Sequence, residues 1–136
     1  MARALAAHRP KDVASVITLA SPFRGTAGHR LVLRAAEAVR RRVRGKHNLE
    51  VRPECYTPQC GCAFMQALRT GVPTGVAQTA IYTRQDGVVD WRHCVTGDAG
   101  VDCEVPGTHL GLAFNAAVYA LVARRLAEAG KEEAGV

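Results

Sequence analysis

Serine is scarce in this sequence. Only Ser15 and Ser21 occur in 136 residues. Neither has glycines two positions before and after it, so the chain holds no Gly-x-Ser-x-Gly elbow, the strained turn that exposes a nucleophilic hydroxyl. Cys60-Gly61-Cys62 does not replace it, having neither that pattern nor a strand before it. Aromatic residues are also few, at 5%. None lies among the basic residues Arg34, Arg40, Arg41, Arg42, Arg44 and Lys46, which removes base stacking there and argues against a nucleic-acid partner. No apolar run approaches the ~18 residues of a membrane-spanning helix. Internal repeats and low-complexity tracts are absent. Regular pairs of metal ligands are absent too: Cys55, Cys60 and Cys62 form a Cys-x4-Cys-x-Cys pattern that no standard zinc site uses. No metal or organic cofactor is implied.

The composition, 48% hydrophobic and 22% charged, is that of a folded chain rather than a disordered tail. The net charge of +6 comes largely from segment 29–43 and the few residues after it. There the spacing of Leu31, Ala35, Ala36 and Val39 predicts a helix that packs this stripe inward and turns its arginines to solvent. The alternative is a binding patch for acidic partners, such as anionic lipid.

Three segments read as strands. Residues 13–20 are nearly continuously apolar and β-branched, the pattern of a strand covered on both faces in a parallel sheet, with Ser21-Pro22 ending it. Residues 78–83 form the second. Residues 101–105 form the third, where Val101, Cys103 and Val105 alternate with Asp102 and Glu104, as on an edge or a half-exposed strand. Helical spacing marks 2–9, which starts without a capping residue and stops before Pro10, and 62–69, stopped by Gly71 and Pro73. Residues 44–60, with Gly45, Pro53 and Pro58, have no period. Asn115 suits the N-cap of a last helix over 116–129, with Phe114, Val118, Leu121, Val122 and Leu126 as its apolar stripe. Gly130 suits its end, and 131–136 reads as a frayed tail.

The cysteines favour disulfides and, with them, an exported or cell-envelope setting. Cys94 and Cys103 bracket a polar loop, and a bridge between them closes ~10 residues, worth roughly 2–3 kcal/mol of loop entropy. Cys55 pairs with Cys60 or Cys62 in the same reading. Reduced thiols in a cytosolic protein are the alternative.

Two short motifs carry the chemistry. Residues 80–91, Ala-Ile-Tyr-Thr-Arg-Gln-Asp-Gly-Val-Val-Asp-Trp, are a strand that ends in an acid on a glycine turn. Residues 105–112, Val-Pro-Gly-Thr-His-Leu-Gly-Leu, are a strand end followed by a histidine between glycines. An acid and then a histidine, each just past a strand, supply a carboxylate that orients an imidazole and an imidazole that moves a proton. Asp90 is a local rival to Asp86, but its place beside Trp91 suits it to ordering the loop.

With these motifs, residues 13–26, Val-Ala-Ser-Val-Ile-Thr-Leu-Ala-Ser-Pro-Phe-Arg-Gly-Thr, resemble the strand and Ser-Pro-x-x-Gly-Thr turn that follow the nucleophile helix in α/β-hydrolases of the lipase/esterase type. Residues 2–10 look like the end of that helix. The resemblance implies an α/β fold, the C-terminal part of one α/β-hydrolase domain. It carries three parallel strands, flanking helices, and a cap- or lid-like insert over 27–75. It implies a serine hydrolase acting on carboxylic esters of small-molecule or lipid-like substrates. Asp86 and His109 are its catalytic residues, and Phe23, Val89 and Leu110 line its substrate pocket. The nucleophile and the oxyanion donors are expected upstream of Met1, in a missing N-terminal half, so the 136 residues alone are expected to be inactive. The first strand then has an open edge that favours self-association. A non-catalytic remnant or binding module that uses the basic helix is the rival expectation, and a cysteine-based metal module ranks last.

Overall fold

The computed structural model describes residues 1–24, 30–47 and 60–134. The chain runs α1 (Ala2–His8), β1 (Ser15–Leu19), α2 (Arg30–His47), α3 (Ala63–Thr70), β2 (Ala77–Tyr82), β3 (Asp102–Glu104) and α4 (Ala116–Ala134), with short 3-10 turns at Pro10–Asp12, Trp91–His93 and Gly111–Phe114. The three strands form one parallel sheet in the order β1-β2-β3. Ser15 pairs with Ala77 and Leu19 with Ile81 in one ladder, and Ala80 with Asp102 and Tyr82 with Glu104 in the other. The protein is thus an α/β fold with a three-stranded parallel sheet and flanking helices.

Helices lie on both faces of this sheet because its strands are apolar on both. On one face Ala6 of α1 packs with Val16 of β1 and Val76, with Val13 and Val72 beside them. On the other, Ala20, Ile81, Val105 and Leu112 pack with Val118 and Leu121 of α4, supported by Ile17, Leu19, Cys103 and Val122. The central strand is the best covered: Thr79, Ala80, Ile81 and Tyr82 are all buried. Strand β1 is less enclosed than its apolar run suggests. Val16 and Thr18 are buried, whereas Ile17 and Leu19 are half-buried at the margin of the core that α4 covers. No described strand pairs with the outer side of β1.

Two helices differ from their sequence reading. Along α2 the stripe expected to face inward faces solvent instead: Val39 is 62% exposed, Leu31 65%, and Ala35 and Ala36 are exposed with them. This helix is held by its own composition, rich in Ala, Leu and Arg, and by ion pairs from Glu37 to Arg40 and Arg41 one turn on. Helix α4 does not stop at Gly130 but runs to Ala134. Strong helix formers flank this glycine, and the buried Ala129 keeps the turn on the body of the protein. Of its expected stripe, Val118 and Leu121 are buried, while Phe114 and Leu126 are exposed. Asn115 does cap the helix: its Oδ1 accepts from Ala117 N at 2.9 Å. Much of the interval expected as an insert, including Cys55, lies outside the described residues.

Candidate active site

Parallel strands send all their following loops to one edge of the sheet. Here the loop after β2 carries Asp86 and the loop after β3 carries His109. A hidden threonine joins the two loops. Thr83 is buried at the end of β2, donates its hydroxyl to Gly107 O at 2.7 Å, and accepts from Gln85 N at 3.2 Å. Gly107 has φ +147°, a region L residues avoid, and this lets the chain turn from β3 toward His109. Asn115 braces the far side of the same loop, donating from Nδ2 to Pro106 O at 2.8 Å.

The result is a short contact between the acid and the histidine. His109 Nδ1 lies 2.7 Å from Asp86 Oδ2. The Asp86 side chain is 1% exposed and the His109 side chain 28%. The other carboxylate oxygen, Oδ1, accepts from Val88 N and Val89 N, each at 2.8 Å. Burial by itself pushes the Asp86 carboxyl up. The hydrogen bonds from Val89 N–H, His109 and Val88 N–H, with the charge of His109, outweigh it and hold the group below its ordinary value. Asp86 is therefore an ionised orienter. With Nδ1 committed to it, Nε2 is the ring nitrogen left for proton transfer.

Asp90, the rival acid, does something else. It caps the Trp91–His93 turn, accepting from Arg92 N at 3.0 Å. Trp91 in that turn stacks on Tyr82 with centroids 5.5 Å apart, and the Arg84 and Arg92 guanidiniums lie 5.1 and 5.0 Å from its ring. The turn also reaches across to the end of β1: His93 O accepts from Phe23 N at 3.0 Å and Arg24 N at 3.2 Å.

Among the described residues no disulfide is formed, and Cys55 lies outside them. Cys60, Cys62, Cys94 and Cys103 are free thiols. Cys94 is buried under its loop with its thiol toward Asp90 O at 4.0 Å. Cys103 points to Val101 O at 3.8 Å, with Arg125 Nη2 of α4 at 3.7 Å from its sulfur. Each thiol is engaged by a different neighbour, so bracketing a loop in sequence does not bring them together. Burial, then the charges of Asp86 and Asp90, push the Cys94 thiol up to about 11. It stays protonated and is a poor nucleophile despite its place near the acid. Ser21 is no closer to the role: its hydroxyl donates to Leu19 O at 3.0 Å, and it is exposed.

The expected pocket residues do not converge. Leu110, next to His109, is 75% exposed, and Val89 is half-buried beside Asp86. Phe23 lines two clefts with residues of α1 and α3, and neither is lined by Asp86, His109, Val89 or Leu110. Among the described residues, no three His, Cys, Asp or Glu side chains gather as metal ligands. Set against models of known protein families, curated proteins and solved structures, the chain gives no match.

Proposed function

We propose that this chain is the acid- and histidine-bearing part of a serine hydrolase of the α/β-hydrolase type, acting on carboxylic esters. One observation carries the reading: a buried, ionised Asp86 holds His109 by Nδ1 at 2.7 Å, from adjacent loops at one edge of a parallel sheet. A serine hydroxyl from a segment outside these 136 residues gives its proton to Nε2 as it attacks the ester carbonyl. The imidazolium formed is stabilised by Asp86 and returns the proton to the departing alcohol. Water then repeats the two proton transfers in reverse roles and releases the acid. The missing strands of the fold pair along the open side of β1.

The chain alone is expected to leave p-nitrophenyl butyrate intact, since the nucleophile and oxyanion donors carry most of the rate. The test is the coding frame upstream of Met1. A Gly-x-Ser-x-Gly in frame, and hydrolysis by the longer protein that falls ~10³-fold or more in His109→Ala, are the expected results. A frame without the motif, or kcat undiminished in His109→Ala, overturns the proposal.

The course of α2 favours a second reading, a binding module that rests on anionic lipid. Its exposed Val32, Val39 and Val43 share one face, and Arg34 and Arg41 lie on the opposite one. Co-sedimentation with phosphatidylserine vesicles that is lost in Val39→Asp supports it; no pelleting above that with neutral vesicles removes it.

A further inference from the structure

The end of β1 carries a cleft that the Asp86–His109 pair does not use. It has a volume of about 370 Å³ and is lined by Arg3, Phe23, Arg24, Leu68, Arg69 and Thr96. The three arginines come from α1, from the turn after β1, and from the last turn of α3. Among the described residues no carboxylate lines the cleft.

Arg9, Arg40, Arg41, Arg84, Arg92, Arg124 and Arg125 all pair with an Asp or Glu. Among the described residues Arg3 and Arg24 have no such pair. The Arg3 guanidinium lies on the face of Phe23, 3.9 Å from its centroid. Its Nε and Nη1 are buried with no hydrogen-bond partner. A desolvated guanidinium with unused donors is costly to hold unless something answers its charge. Its burial in fact lowers its pKa. Arg69 donates to Cys60 O at 3.1 Å, and the two bonds from Phe23 N and Arg24 N to His93 O fix the facing turn.

We propose that this cleft binds a phosphomonoester whose organic group is apolar. Guanidinium forks match phosphate oxygens, and a dianion answers the charges of Arg3 and Arg24 together. Phe23 and Leu68 offer the apolar wall for the attached group, and Thr96 adds a hydroxyl. The same head group occurs on soluble aryl or alkyl phosphates and on phosphatidate lipids. The site is separate from the acid–histidine pair, so it does not depend on the hydrolase reading.

Titration calorimetry of the chain with phenyl phosphate, soluble dihexanoyl phosphatidate and phenol tests this. Binding of at least one phosphate ester is expected, with Kd of about 1 mM or tighter, and none of phenol. Tighter phenyl phosphate marks a soluble ligand, and tighter dihexanoyl phosphatidate marks a lipid head group; both support the site. Arg24→Gln, a change at an exposed side chain that leaves the fold alone, is expected to weaken binding about 5-fold or more, and Arg3→Gln likewise. No heat from either ester, or equal affinity in both variants and the parent, overturns the proposal.

Discussion

At the loops after β2 and β3, the Asp86 carboxylate is almost fully buried and both its oxygens are occupied, by two backbone N–H groups and a histidine. At the end of β1, the Arg3 guanidinium is partly buried and two of its nitrogens have no partner. Both sites lie beside loops at the same edge of the sheet, and the His93 carbonyl links them. A site whose polar groups satisfy one another is pre-organised, and keeps free only the atom that reacts. A guanidinium whose donors are unused among the described residues can take a partner from outside.

The largest effect that sharpens this contrast is on rate. In a hydrolase assembled from this chain and its nucleophile-bearing part, His109→Ala is expected to lower kcat by ~10³–10⁴-fold, whereas Arg24→Gln leaves kcat on p-nitrophenyl butyrate within about 2-fold. Equal losses in the two variants would merge the sites into one.

Thiol labelling separates the regions next. Cys94, buried on the closed side with its thiol raised to about 11, is expected to react with iodoacetamide at pH 8 about 100-fold more slowly than exposed Cys62 at the start of α3. Peptide mass spectrometry at timed quenches gives the ratio, and comparable rates would show the Asp86 loop to be open.

Stability comes third. Asp86→Ala leaves two N–H groups and an imidazole without their acceptor and is expected to cost about 3 kcal/mol by urea denaturation. The folded Asp86 pKa is depressed, so its contribution is complete above the unfolded value of about 3.9 and is lost as pH falls through the lower folded value. The gap between parent and variant should therefore narrow below pH ~4. A gap constant down to pH ~2 would mean that the carboxylate charge contributes nothing. Asn115→Ala removes one cap and the brace to Pro106, with a smaller expected cost of about 1 kcal/mol. Arg24→Gln, on the unanswered side, is expected to change stability by less than about 0.5 kcal/mol in the absence of ligand. A loss as large as that of Asn115→Ala would mean that Arg24 has a partner within the chain.

The acid and the histidine were legible because each stands in a local pattern, a strand end followed by a glycine turn. The same holds for the three strands and for the Asn115 cap. What failed were the inferences about what covers α2, which thiols meet and where α4 ends. The alternation of apolar and basic residues in α2 is real, but nothing in it says that a core is there to receive it. The spacing of Cys94 and Cys103 admitted a bridge, yet one thiol sits against Asp90 O and the other beside Arg125. Gly130 reads as a stop, and packing on Ala129 carries the helix through it. Thr83, which ties the Asp86 and His109 loops, looks like any strand threonine until Gly107 is found opposite it.

By itself the sequence determined the local structure: β-branched runs that want a parallel sheet, helices between them, and an acid and a histidine at strand ends, because these follow from neighbours within a few positions. The tertiary structure alone decided that Thr83 ties the Asp86 loop to the His109 loop, that the described cysteines stay apart, and that Arg3, Arg24 and Arg69 share one cleft. These depend on which segments the parallel crossovers bring to the same edge of the sheet. Local pattern energies are silent on that choice, and burial and hydrogen-bond satisfaction between distant segments make it.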